Sequence, residues 1–220
     1  MILTILTMPL TLLSLQQGIA QRLAGRVSPD VAALVEQLGT EGSARGLPVE
    51  PLIQKAIEGS AKRIPDDRVA TAIRLVATQL DTAATALRDG GLDSDTLAIA
   101  AGAFAITAGL SGNDITALAR VGAPPQALTV GLRVAGTLAA LGVPQADNIA
   151  LVSATLRSGK PAADLLVLPA QVQSEIANGK TPAAAAAGLS RAAAAQARRG
   201  PPPGRGRGNP PPHPPTPPHP

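Results

Sequence analysis

Apolar positions recur along this chain with the period of a helix, and no stretch between turn signals alternates with the period of a strand. In "SPDVAALVEQL", Val31, Leu34, Val35 and Leu38 are spaced to share one helical face. Ser28 stands ahead of them as an N-cap, Pro29 takes the first helical position, and Asp30 falls in the first turn. The stretch "IPDDRVATAIRLVATQLDTAATALRDGG" places Val69, Ile73, Val76, Leu80, Ala84 and Leu87 on one face, with Asp, Arg, Thr and Gln opposite. Gly90 is expected to stop that helix.

Two further segments are apolar on every side. Thr96 to Leu110 is too short to span a bilayer, which needs about 20 residues, so it is expected to be a buried central helix. "PQALTVGLRVAGTLAALG" reads the same way, with Gly131 and Gly136 allowing close packing. The fold expected is all-α, a multi-helix bundle or short helical-hairpin array without a sheet.

Gly and Pro punctuate the body in a rough repeat. Gly46-Leu47-Pro48 leads to Gly59 and Pro65; Gly109-Leu110-Ser111 leads to Gly122 and Pro124; Gly142-Val143-Pro144 leads to Gly159 and Pro161. Each unit is expected to be a short helix closed by Gly, followed by Pro opening a second helix. The last two units start about 33 residues apart and share an early acidic residue, Asp114 and Asp147.

The ends differ from this body. Residues 1–20 open with a run of about 14 mostly apolar residues ending near Leu15, and Gly18 and Ala20 put small residues at minus-3 and minus-1 before Gln21. The segment is expected to be a signal peptide, although it lacks the usual Lys or Arg at its start. The alternative is a buried or membrane-surface first helix. Residues 21–199 form the expected helical domain, and 200–220, "GPPPGRGRGNPPPHPPTPPHP", a disordered extended tail.

Composition narrows the function classes. The 220 residues include no Cys, Trp or Tyr and one Phe, Phe104, so the core is built from Ala, Leu, Val and Ile, and disulfides and thiolate chemistry are absent. The net charge of +4 belongs to the tail. Residues 1–190 carry 14 basic and 15 acidic side chains, whereas 191–220 carry five basic and none acidic, so the body has no polyanion footprint. The only histidines, His213 and His219, are in the tail, which removes Ser-His-Asp, Cys-His and most zinc sites from the body.

The remaining motifs read as structure. "ANGKTPAAAAAG" contains Gly179-Lys180-Thr181, the end of a phosphate-binding loop, but Ser174 stands where the first glycine is required. Gly179 fits better as a helix terminator, Thr181 as the next N-cap and Pro182 as its first residue. "RSGKPAAD" repeats that grammar at 157–164. The acidic pairs Asp66 with Asp67, and Asp93 with Asp95, fall at helix starts, where the dipole favours negative charge. Arg205 and Arg207 in "GRGRGN" are possible tail contacts that resemble RNA-binding arginine-glycine segments, without aromatics for base stacking.

"AGRVSPDVAALVEQL", "GLPVEPLIQKAIEG" and "IPDDRVATAIRLV", all within residues 24–80, resemble exported bacterial proteins with an Ala-rich, Gly/Pro-punctuated helical body. That resemblance implies export and a helical fold. It carries over no activity and no binding residue.

The functional expectation is an exported, periplasmic or extracellular, non-catalytic protein whose helical body contacts a protein or the cell envelope. No cofactor, metal or transmembrane span is expected in the mature chain, and a nucleic-acid partner is not. The interaction face to watch is Lys55, Glu58, Lys62 and Arg63, at a hinge containing Gly59. The alternatives are a carboxylate and lysine enzyme using Asp66, Asp67 and Arg68, or RNA binding through the tail if the chain is not exported.

Overall fold

A computed structural model describes residues 18–92, 95–159 and 161–199. Tail residues Arg205, Arg207, His213 and His219, the apolar segment up to residue 17, and Asp93 lie outside the described residues. Among the described residues the fold is all-α with no strand. A short helical segment at 18–23 leads into ten helices: α1 (Pro29–Ser43), α2 (Glu50–Ala61), α3 (Asp66–Asp89), α4 (Thr96–Thr107) and α5 (Gly112–Ala119), then α6 (Pro125–Ala140), α7 (Gln145–Arg157), α8 (Ala162–Leu166), α9 (Leu168–Ala177) and α10 (Pro182–Arg199). No helix among the described residues is long and apolar enough to cross a membrane.

The helix starts follow the local chemistry. Ser28 accepts from the Val31 N–H at 3.4 Å, and Asp95 accepts from the Leu97 and Ala98 N–H groups at 2.8 and 3.4 Å. Ser111 and Asp114 form a reciprocal capping box at the start of α5. Thr181 accepts from the Ala184 N–H at 3.2 Å, and Pro182 begins α10.

One backbone device turns the chain at most joints. At Gly142-Val143-Pro144, Gly142 adopts a left-handed φ of 80° and donates to the Ala139 carbonyl at 2.9 Å, while Val143 donates to Leu138 at 3.1 Å. These bonds satisfy two carbonyls that the end of α6 leaves without helical partners. Val143 is buried, and Pro144, with φ −57° and ψ 144°, directs the chain into α7. The same arrangement places Leu47 and Leu110 in the core after Gly46 and Gly109. Gly179-Lys180-Thr181 is another such joint, with Gly179 donating to Ile176 at 2.9 Å and Lys180 to Glu175 at 3.1 Å. The Lys180 ammonium pairs with the Glu175 carboxylate.

Gly90 stops α3 as expected: the helix ends at Asp89 and Gly90 caps it, right-handed and packed against Ala119 of α5, while the left-handed turn falls to the next residue, Gly91, φ 89°, with Leu92 donating to Leu87 at 3.0 Å. Two expectations need correction. Gly59 does not close α2 and is no hinge; it is buried inside the helix, where an added Cβ would meet the Val69 Cγ2 at 2.6 Å. Its bare backbone lets α2 and α3 approach. Nor is α4 enclosed on all sides: Ala98, Ile99, Ala101, Gly102, Ala103 and Ala105 are buried, but Leu97 is 63% and Phe104 47% exposed. Those two residues lie two turns apart on one face.

Among the described residues, each substantial packing contact joins helices no more than three apart in chain order. α3 rests on α1, α2, α4 and α5, while α6 sits among α4, α5, α7, α8 and α9. α10 closes the far end against α7 and α9. One continuous apolar core threads these layers, from Ile19 and Leu23 to Ala185 and Ala186.

Candidate interaction surface

α2 divides its residues by helical geometry. Leu52, Ile53, Ala56 and Gly59 face the core, and Lys55, Glu58 and Lys62 recur on the opposite side at spacings of three and four. The structure joins these three: Glu58 accepts from the Lys55 ammonium at 2.9 Å and from the Lys62 ammonium at 2.5 Å. The hydrogen bond from Lys62, then that from Lys55, holds the Glu58 carboxyl down at about 2. All three side chains are in water, so the triad defines a local charge pattern more than a stability element.

Arg63 follows directly after the triad. Its backbone is left-handed, φ 55°, and it donates to Ser60 at 2.9 Å while Ile64 donates to Gly59 at 3.0 Å. Arg63 thus occupies the joint position held elsewhere by glycine, and its side chain is exposed.

A second ion pair borders this face. Arg22 of the segment at 18–23 grips Glu50, the first residue of α2, through two bonds of 2.5 and 2.7 Å, and Gln54 donates to Glu50 at 2.7 Å. The Arg22 bond, followed by that of Gln54, lowers the Glu50 carboxyl to about 2, and the same pairing raises the Arg22 guanidinium. Arg45 reaches Asp81 of α3 at 2.6 Å.

Asp66, Asp67 and Arg68 stand exposed in the first turn of α3, outside the grooves described below, and Asp95 serves as the N-cap of α4. The groove between α7, α9 and α10 has a volume of about 300 Å³ and is lined by Thr155, Ser158, Asp164, Val167, Leu189 and Ala193, among others. An open groove of about 370 Å³ between α3 and α5 is lined largely by Thr78, Thr82, Thr85 and Thr116 with Asp81 and Asp89. Among the described residues, no group of three or more His, Asp or Glu side chains is placed to hold a metal ion.

Two surface features were not anticipated from composition. The half-exposed Phe104 ring lies over Gly136 of α6, where an added Cβ would come within 2.6 Å of the ring. Leu166 and Val167 are exposed at the elbow between α8 and α9. Their exposure depends on which helices meet, and periodicity within one segment does not report that.

No protein-family model matches the chain, nor does any curated protein or solved structure.

Proposed function

We propose that this is an exported, non-catalytic helical protein whose body mediates a protein or cell-envelope contact, as in the exported Ala-rich bacterial proteins its sequence resembles. The observation that carries the reading is the disposition of charge. Lys55, Glu58 and Lys62 pair with one another on the outer face of α2, while Arg22–Glu50 and Arg45–Asp81 link neighbouring elements across the surface. The triad presents two ammonium groups and one carboxylate in fixed order beside exposed Arg63 and Ile64. Such a pattern favours a partner surface with acidic groups and a small apolar element.

Crosslinking and affinity capture in the native host test this reading. A Lys55→Gln/Lys62→Gln double variant should lose most of the captured partner while its melting temperature falls only slightly, because the triad is solvated. Equal capture by both proteins would move the contact away from α2. Cell fractionation tests export separately.

A further inference from the structure

We propose that the folded protein retains residues 1–17, because the bond suited to signal peptidase lies inside its core-forming first helical segment; the membrane consequence rests on the export reading above. Ile19 is 3% exposed and Leu23 1% exposed, and both belong to the continuous core. Ile19 fills the space above Gly39 of α1: its Cδ1 lies 3.0 Å from where a Cβ on that glycine would stand, with Val49 on the same spot at 2.9 Å. A cut between Ala20 and Gln21 removes Ile19 and opens this seat. The carbonyl of that bond is also engaged, since Ala20 accepts from the Ala24 N–H at 3.0 Å as part of a helical turn. The twin bonds from Arg22, the second residue after the cut, to Glu50 hold the segment onto α2.

No other bond between Met1 and Gln21 provides a substitute. Between Met1 and Gln21, only Gly18 and Ala20 place small residues at both minus-3 and minus-1 of a bond. An exported chain therefore remains joined to an uncharged apolar stretch, shorter than the ~20 residues of a spanning helix and suited to the interfacial layer of a lipid surface. The body is then held beside the membrane it crossed.

The test uses the full chain produced in a bacterial host, as wild type, Ile19→Ala and the milder Ile19→Val. Mass spectrometry of the purified proteins should find residues 1–17 present. The melting temperature should fall by about 5–10 °C for Ile19→Ala and by a few degrees for Ile19→Val, from loss of core packing. A mature N-terminus at Gln21, with all three proteins melting together because residue 19 has been removed, overturns the proposal. Protease added outside spheroplasts separates it from the export reading. Digestion of a chain with an intact N-terminus supports both. Protection of such a chain overturns export and membrane attachment, while the melting shifts still report the seat of Ile19.

Discussion

Gly59 and Gly90 in the first half of the body and Gly188 in α10 all sit in right-handed helical surroundings, yet they differ in what they contribute. Gly59 faces the branched Val69, and Gly90 faces the Ala119 Cβ and the Leu87 and Thr116 carbonyls, so the missing side chain is itself the contact between helices. Around Gly188 nothing lies within 4 Å of an added Cβ. α10 rests on α7 and α9 through small residues such as Ala185 and Ala186, and leaves the 300 Å³ groove beside it. Small residues thus close the seams of α3 and leave the last seam open.

Substitution at these glycines gives the widest separation. Gly90→Ala should destabilise the protein by about 2–3 kcal/mol, since neither a methyl group nor a carbonyl can rotate away. Gly59→Ala should follow closely because Val69 is stiff at χ1. Both are read from thermal or denaturant unfolding. A neutral Gly90→Ala would show that the α3–α5 seam is looser than drawn.

The joints provide a smaller contrast. Gly122, φ 74°, is strained by any side chain, so Gly122→Ala should cost about 1 kcal/mol, whereas Arg63→Gly should stabilise by up to about 1 kcal/mol. If Arg63→Gly destabilises instead, the arginine side chain contributes a contact that outweighs its backbone cost. Gly188→Ala should raise stability by about 0.5–1 kcal/mol through helix propensity alone.

The smallest effect concerns pH. The Glu50 and Glu58 carboxyls sit below their ordinary value in the folded state, at about 2, so their pairing contributes above pH 4.5 and is lost as pH falls towards 2. Stability should decline over that window. The decline should be shallower in Glu50→Gln and Glu58→Gln and reduced at high salt, as acid titration followed by circular dichroism would show.

The contrast also explains what the sequence disclosed. Ser28, Asp95 and Thr181 were legible as caps, and Gly179 as a terminator, because capping acts over a few residues. The same locality made the all-α fold readable from its apolar period. Gly59 has the local look of a helix end, but Val69 of the next helix is what requires its missing side chain; Gly90 was legible as the stop of α3, whereas its close approach to Ala119, 29 residues on, was not. Spacing on α2 placed Lys55, Glu58 and Lys62 together, but it could not assign Arg63 a backbone conformation that elsewhere belongs to glycine. The all-round apolar pattern of their helix points Leu97 and Phe104 inward; which side faces water depends on α3 and α6.

Packing between sequence neighbours also determines how the chain comes apart. The first three helices share no substantial contact with the last four, so each layer forms after closing only a short loop, which favours rapid folding. α10 holds to the rest through α7 and α9, so it can separate while the layers around α6 stay closed. A partner that takes hold of α10 therefore grips a part that can separate by itself, and one that binds α2 grips a face braced by α1 and α3.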